Sequence, residues 1–328
     1  MVIGALVASG WGSSDKVFAL TPQEIYAVAS PAVVFIAAFS EEGQKGGTGS
    51  IIRQDGLVLT NAHVVVDKST GLPYPRLFAF LKPERVTGNQ ETDLARRVRV
   101  TVLAFDTDLD VALLKMEQPP SLIPVLAIGN SDRIDIGAHV LAIGHPEQGG
   151  LWTLTTGVIS AEFENFKSVP GKHVFQTETS LNRGNSGGPL LDDMGRMIGV
   201  NTAIARLADD GMPITNINFS IKAQVAQRWL QDQHVVVAVE TSPPSPPVAP
   251  PSNAVAPQVI APPSNATAPR PLKPPASHDP AHQPRASVSH RSTAPQPYRL
   301  DTLLNTLRHT ETAMDDLMQE MSRKTRGR

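Results

Sequence analysis

Short apolar runs separated by Gly, Pro, Asn and Asp recur through much of the first 221 residues of the chain. The first runs are 32–38 and 46–52, another precedes His63, and a second series extends from 138 to 221. Short runs rich in β-branched residues, with turn residues at their ends, are typical of barrels rather than of alternating strands and helices. The pattern therefore predicts an all-β protein with two antiparallel barrels.

Helix signals flank these runs. Thr21, Pro22 and Glu24 have the spacing of a capping box with proline at the first helical position, which predicts a helix over 21–29. A second helix is predicted from 222 to about 231. Its packed face is predicted to contain three apolar residues: Val225, Trp229 and Leu230.

Two segments between the runs allow alternative interpretations. Residues 67–97 contain a candidate strand, 77–81, and we favour a surface insertion because added loop length costs little. The alternative is a loop that borders or regulates a binding groove. The glycines at 46–49 lack the Gly-Lys-(Ser/Thr) ending of a phosphate loop, so they predict a strand entry and no nucleotide site.

The composition changes after residue 241. Seventeen of the 29 prolines lie between Pro243 and Pro297, which predicts a disordered Pro/Ala-rich linker over 236–297. Residues 298–328 predict an amphipathic helix, about 301–321, with a basic tail. A docked or partly ordered helix is favoured over one that self-associates or binds a partner. Its apolar residues recur at heptad spacing: Leu300, Leu303, Leu307, Met314, Leu317 and Met321.

Charge and composition exclude several function classes. A net charge of −2 argues against a nucleic-acid partner. The absence of cysteine excludes disulfides, a cysteine nucleophile and thiolate zinc sites. His145 and His173 lack partners at metal-site spacing and are expected to be loop histidines, so neither a metal nor a cofactor is predicted.

The first nineteen residues carry mixed signals for localisation. Residues 1–8 are apolar but shorter than the roughly 20 residues of a membrane-spanning helix. Residues 17–19 resemble the end of a cleaved signal, although no Lys or Arg precedes the apolar run. An exported protein of the periplasm or cell envelope is favoured, with a cytoplasmic protein as the alternative.

Ser186 lies among glycines in the stretch 182–190, where the sequence reads Asn-Arg-Gly-Asn-Ser-Gly-Gly-Pro-Leu. A serine hydroxyl attacks a carbonyl only with a neighbouring base. Glycines allow a tight turn whose backbone N–H groups stabilise the oxyanion that forms. Residues Gly184, Asn185 and Ser186 are thus the candidate oxyanion hole, with the N–H groups of Gly184 and Ser186 as the expected donors.

A candidate base and a candidate acid lie upstream. His63 follows an apolar run in the context Thr-Asn-Ala-His-Val-Val, and Asp110 directly precedes the run 111–115. Asp106 and Asp108 are weaker candidates for the acid, because neither adjoins that run. The order His, Asp, Ser predicts a triad in which Asp110 orients His63 and His63 activates Ser186.

These motifs resemble those of the HtrA/Deg family of trypsin-like serine proteases. The resemblance covers 60–65, 110–115 and 184–190, and extends more weakly from about 20 to 230. It implies a chymotrypsin/trypsin-like domain over 20–235 with two six-stranded barrels, hydrolysing unfolded or misfolded proteins. Two departures from the family pattern are Arg183, where proline is common, and the lack of a recognisable PDZ domain.

The resemblance also implies a substrate site. Ser180 is expected at the base of the primary pocket, where an uncharged residue favours small or medium apolar side chains. Asn218, Phe219 and Ser220 are expected to offer an edge strand to the substrate backbone. Polypeptides are the expected partners, and the C-terminal helix is the candidate for homo-oligomer or partner contacts. The expected activity resides in 20–235, and the alternative is a catalytically idle binding or chaperone-like module.

Overall fold

The computed structural model of the chain describes residues 19–41, 43–147, 149–204, 217–238, 299 and 301–309, with the backbone alone at 203 and 204. Three predicted segments lie wholly or largely outside these ranges: the candidate signal segment, the Pro-rich linker and the C-terminal helix beyond residue 309.

Six antiparallel strands close the first barrel in the order β1-β2-β3-β6-β5-β4. All residues of the first strand are buried, and the second barrel packs against it through Trp152, whose indole N–H donates to Val33 O at 2.8 Å. The strands are β1 Val33–Phe39, β2 Gln44–Arg53, β3 Leu57–Thr60, β4 Arg76–Leu81, β5 Arg97–Asp106 and β6 Val111–Met116.

The segment 67–97 is more than a surface insertion. Its candidate strand is β4, which pairs with β1 on one side and β5 on the other and so closes the barrel. Leu77, Phe78 and Phe80 are buried there, and this apolar burial fixes the strand in the core. The favoured interpretation was therefore wrong for 76–81.

The second barrel also has six antiparallel strands, in the order β10-β11-β12-β9-β8-β7. Its own core is a smaller apolar cluster that includes Val140, Phe175 and Leu190. Together the two barrels confirm the predicted fold class. The strands are β7 His139–Gly144, β8 Thr153–Phe163, β9 Val174–Thr177, β10 Pro189–Leu191, β11 Met197–Ile204 and β12 Asn218–Lys222.

Both predicted flanking helices are present. Helix α1, Pro22–Ala29, has the capping box between Thr21 and Glu24. Two short helices, α2 Ala62–Val65 and α3 Gln90–Asp93, lie within the first barrel's connections. Helix α4, Ala223–Asp232, buries the three predicted apolar residues. None of the helices in the described ranges is both long and apolar enough to cross a membrane.

A fifth helix, α5, covers residues 301–309 and docks on the first barrel. Leu303 and Leu304 are buried in the same apolar cluster as β1. Polar contacts join α5 to the β1–β2 hairpin: Gln44 Nε2 donates to Asn305 Oδ1 at 2.7 Å, and the Arg308 guanidinium donates to the carbonyls of Ser40 and Gly43 at 2.9 and 2.7 Å. The start of the predicted helix is thus docked, as the favoured interpretation had it.

Candidate active site

His63 lies on α2, the single helical turn that follows β3. Asn61 is the residue that precedes α2. Its side chain is fully buried, and its Nδ2 donates to the backbone carbonyl of Asp110 at 2.8 Å. That bond ties the turn carrying the histidine to the turn carrying the acid. The His63 ring itself is 39% exposed, so the histidine is held by the buried Asn61 on one side and open to solvent on the other.

Asp110 meets His63 through two kinds of contact. Its Oδ1 accepts the His63 backbone N–H at 3.0 Å, and both carboxylate oxygens lie 2.9 Å from His63 Nδ1. The carboxylate also accepts a hydrogen bond from Thr202 Oγ1 on β11. These contacts orient the imidazole so that Nε2 is the atom left to act as base.

The backbone and pKa of Asp110 fit this role. Its φ of 64° lies in the left-handed region, which a non-glycine residue adopts at a cost and which is common at functional sites. Burial acts to raise the pKa of the carboxyl group. Hydrogen bonds from His63 and Thr202 and the charge of His63 outweigh burial, so the pKa lies below its usual value of 3.8. Asp110 is therefore ionised at neutral pH.

The weaker candidates Asp106 and Asp108 shape the turn instead of facing the histidine. Asp106 Oδ1 accepts the N–H groups of Asp108 and Leu109 at 2.9 and 2.8 Å. The backbone carbonyl of Asp108 accepts a hydrogen bond from Lys172 Nζ of the second barrel at 2.8 Å. Both residues support the left-handed turn in which Asp110 lies.

Ser186 lies in a turn that is held by both barrels. From the first barrel, Thr48 N–H donates to Ser186 O at 2.8 Å. From the second, Asn201 O accepts the Gly187 N–H at 2.8 Å. Gly187 has a φ of 84°, and a Cβ there would overlap Thr60 Oγ1, so only glycine allows the turn to sit this close to β3.

Two N–H groups of the turn are available to an oxyanion. Among the described residues, neither Gly184 N–H nor Ser186 N–H donates to an acceptor, whereas Asn185 N–H donates to Asn182 O at 3.0 Å. Asn185 is thus part of the turn without an N–H group to offer, and the two uncommitted groups are those expected from the sequence, on Gly184 and Ser186. Arg183 O accepts from Glu147 N–H at 2.6 Å. Since a trans peptide directs its C=O and N–H to opposite sides, this bond turns the Gly184 N–H away from Glu147.

The Ser186 hydroxyl is directed at a backbone carbonyl. Oγ donates to Thr202 O at 3.4 Å, and no bond to His63 Nε2 is made within the described contacts. A distance of 3.4 Å is long for an O–H···O bond. Catalytic hydrogen bonds of proteases without substrate are often long or misaligned, so a rotation of the serine side chain is needed before His63 can take the proton.

The expected edge strand at residues 218–220 was wrong. β12 lies between β11 and β9, so both of its edges are already paired. Asn218 Nδ2 donates to Thr179 O at 2.9 Å, Ser220 Oγ donates to Asn201 Oδ1 at 2.5 Å, and the Phe219 ring packs on Phe166 at 4.6 Å. These side chains brace the barrel wall.

The strand edge nearest Ser186 belongs to β11. Pairing of β11 with β10 ends at Val200, while pairing with β12 continues to Ile204. On the β10 side, no backbone–backbone hydrogen bond is made beyond Asn201 within the described part of the chain, and Thr202 O accepts from the Ser186 hydroxyl. Ser180 is exposed, and its carbonyl accepts from Thr155 Oγ1 at 3.1 Å.

Three residues at the site were not predicted from the sequence to have a functional role: Thr202, Thr48 and His145. The sequence places Thr202 in a strand that resembles the family's, but its bond to Asp110 spans 92 positions. His145 follows β7, as a loop residue, yet it is fully buried where the barrels meet. His173 is half-buried and contributes nothing to the site.

Comparisons with known proteins find similarity to serine proteases. A model of the trypsin-like peptidase domain matches residues 47–200. The putative serine protease HhoB of Synechocystis sp. is 40% identical over 188 residues, which are 56% of this chain and 39% of that protein. A probable periplasmic serine endoprotease, DegP-like, of Chlamydia pneumoniae is 36% identical over 185 residues, 56% of this chain and 33% of that protein. The chain spans less than half of either relative.

A solved structure shares the fold. The HtrA-type protease AlgW with a tripeptide matches with a TM-score of 0.53 at 29% identity, covering 65% of this chain and 63% of that one. Similarity to serine proteases of the HtrA type is thus found in both sequence and structure.

Proposed function

We propose that this chain, which carries a trypsin-like serine protease domain of the HtrA/Deg type, hydrolyses peptide bonds through Ser186, His63 and Asp110. One observation carries the proposal: the ionised Asp110 holds His63 by two contacts, and Ser186 lies beside two uncommitted backbone N–H groups. A base oriented by an acid, next to a serine and an oxyanion hole, is the constellation that acyl transfer requires.

The reaction proceeds in two halves. His63 takes the proton of Ser186 Oγ as the oxygen attacks the substrate carbonyl, and the resulting oxyanion accepts hydrogen bonds from Gly184 and Ser186. His63 then protonates the leaving amine, which leaves an acyl-enzyme. Water, activated by the same histidine, attacks the acyl carbonyl and releases Ser186. Asp110 stays ionised throughout and stabilises the imidazolium.

The substrate is an extended polypeptide that pairs with the edge of β11. The carbonyl of Thr202 lies next to the Ser186 hydroxyl, and pairing of the substrate along this edge leads the scissile carbonyl toward the oxyanion turn. Ser180, without a charge, favours cleavage after small or medium apolar residues. Unfolded proteins supply such segments, since folded ones bury them. A peptide library in which cleavage after Arg or Lys dominates would contradict this specificity.

The test compares wild type with Ser186→Ala. We expect wild type to degrade casein and to label covalently with a fluorophosphonate probe, and Ser186→Ala to do neither, because the nucleophilic oxygen is removed. Ser121→Ala, at an exposed loop position, is the control and should retain both properties. Degradation by purified Ser186→Ala would refute the assignment.

A catalytically idle binding or chaperone-like module is the second candidate. The Ser186 hydroxyl is directed at Thr202 O and not at His63, and this favours it. The same probe separates the two functions, because an idle module binds unfolded protein without labelling at Ser186.

Export to the periplasm or cell envelope is part of the proposal, and the periplasmic DegP-like relatives support it. Fractionation of the native host should recover the protein with the periplasm or envelope, and recovery with the cytoplasm would contradict it. Homo-oligomerisation is proposed as well, with native mass as its measure.

A further inference from the structure

Two polar residues lie directly beneath the Ser186 turn, where the barrels meet. Thr48 is on β2 of the first barrel, and His145 follows β7 of the second. Both side chains are fully buried. Buried polar groups are costly unless they bond, so the partners of this pair indicate its role.

The hydrogen bonds of the pair have a defined direction. Thr48 Oγ1 donates to Gly184 O at 2.6 Å and lies 2.9 Å from His145 Nδ1. A hydroxyl has a single hydrogen. Because that hydrogen goes to Gly184, the Thr48 oxygen accepts from His145, which therefore carries its proton on Nδ1. The result is a chain of donors from His145 through Thr48 to the carbonyl of the oxyanion glycine.

The surroundings keep His145 neutral. Its ring lies 5.3 Å from Phe35 and meets Trp152 edge-on at 4.8 Å. Complete burial lowers the pKa of the imidazole to about 3. The Trp152 ring is itself fixed by its bond to Val33 O. His145 is thus a fixed donor that stays uncharged at neutral pH.

Both peptide groups flanking Gly184 are fixed from this side. The Gly184 carbonyl accepts from Thr48, and the carbonyl before it, of Arg183, accepts from Glu147 N–H two residues after His145. Gly184 has a φ of 93°, and a glycine in an exposed loop would sample many conformations. Two short bonds to adjacent carbonyls restrict it to the one in which its N–H is uncommitted.

We propose that Thr48 and His145 are positioning residues that hold the oxyanion turn in its donor-ready conformation before substrate arrives. This inference rests on the proposed function, because it assigns them a role in stabilising the oxyanion of that reaction. Arg183 stands where proline is common in the family, and proline would restrict the backbone at this position. We infer that the hydrogen bonds to the carbonyls of Arg183 and Gly184 restrict the backbone in its place.

The test uses Thr48→Val, which keeps the shape but removes the hydroxyl, and Thr48→Ser, which restores it. We expect Thr48→Val to lower kcat about 10- to 100-fold with KM changed less than about threefold, since loss of a whole oxyanion donor costs about 100- to 1,000-fold. The affinity for a peptide boronic acid, whose tetrahedral adduct occupies the oxyanion hole, should fall by the same factor. Thr48→Ser should recover most of both.

The matched control is Ser50→Ala. Ser50 lies two residues along β2 and is equally buried, but its hydroxyl bonds to no described residue, so kcat and inhibitor affinity should stay at the wild-type values. His145→Phe keeps a ring against Phe35 and Trp152 but removes the donor. His145→Phe should therefore lower kcat, as Thr48→Val does.

Hydrogen exchange over residues 182–188 gives a readout that is independent of turnover. Thr48→Val should exchange faster there than wild type and Ser50→Ala. Unchanged exchange, or unchanged kcat and inhibitor affinity in a folded Thr48→Val, overturns the inference, as does equal loss in Thr48→Val and Thr48→Ser. Wild type without hydrolysis or probe labelling defeats the proposed function instead, and the exchange comparison then still decides whether the pair positions the turn.

Discussion

Gly184 is a position where only glycine fits, for two separate reasons. Its φ of 93° is unfavourable for a residue with a Cβ, and a Cβ would overlap His145 O. Gly137 separates these effects, because its φ of 92° is almost the same but nothing lies within 4 Å of its Cβ position.

We therefore expect Gly184→Ala to lose activity at least about 100-fold, as if an oxyanion donor had been removed. Gly137→Ala should cost about 1 to 2 kcal/mol of stability, the cost of the left-handed conformation, with activity unchanged. The measurements are kcat on a chromogenic peptide and the midpoint of urea unfolding. An active Gly184→Ala would show that the turn moves freely from His145.

His145 predicts a pH dependence of stability. Its folded-state pKa is about 3 and its ordinary value is 6.5, so between these pH values the unfolded chain binds a proton that the folded chain does not. The contribution of neutral, buried His145 to the free energy of unfolding is complete above pH 6.5 and is lost as pH falls toward 3. At about 1.4 kcal/mol per pH unit, lowering pH from 6.5 to 4.5 should cost about 2 to 3 kcal/mol.

His145→Phe should remove this part of the acid sensitivity. The measurement is urea unfolding at several pH values, comparing the decline in wild type with that in the variant, because all carboxyl groups are common to both. Parallel declines would mean that His145 is protonated in the folded protein or opens to solvent.

At the scale of residues, the sequence predicts those functional side chains that lie in local sequence motifs. His63, Asp110 and Ser186 each stand at a recognisable strand end or glycine turn. Gly184 and Ser186 were the expected oxyanion donors, and the structure adds that the N–H of Asn185 between them is bonded to Asn182 O. Thr48 and His145 lie 97 positions apart, so no local pattern links them.

At the scale of elements, the apolar pattern predicts strands but not their neighbours. β4 was recognised as a strand, but its place between β1 and β5 depends on long-range pairing. β12 was given a free edge for the same reason, although β9 and β11 occupy both of its sides. Capping residues and helix faces are local, which is why α1 and α4 were predicted well.

At the scale of the whole molecule, the sequence favours a docked or partly ordered C-terminal helix but does not predict its docking site, which the structure places on the first barrel. Leu303 and Leu304 of α5 are buried against the first barrel, while β2 runs from the docked hairpin to Thr48. His63, Asp110 and Ser186 make no hydrogen bond to α5 within the described contacts. α5 is therefore expected to stabilise the domain without entering the chemistry.

The last prediction concerns this docking. Truncating two buried leucines to alanine costs about 4 to 10 kcal/mol when the surroundings stay in place, but the loss here cannot exceed the free energy of docking, because an undocked helix makes no contacts that a substitution could remove. Leu303→Ala/Leu304→Ala and a chain ending at residue 242 should thus lower the thermal midpoint by the same amount, at about 2 to 4 °C for each kcal/mol of docking free energy. Thr302→Ala, exposed on the same helix, should not change the thermal midpoint.

Peptide hydrolysis well below the midpoint should persist in all three variants. The native mass of the truncated chain reports any role of the tail in assembly. An unchanged midpoint in both the truncated chain and the double variant would show that α5 does not stay docked in solution, and loss of hydrolysis in a folded truncated chain would show that α5 completes the active site through β2.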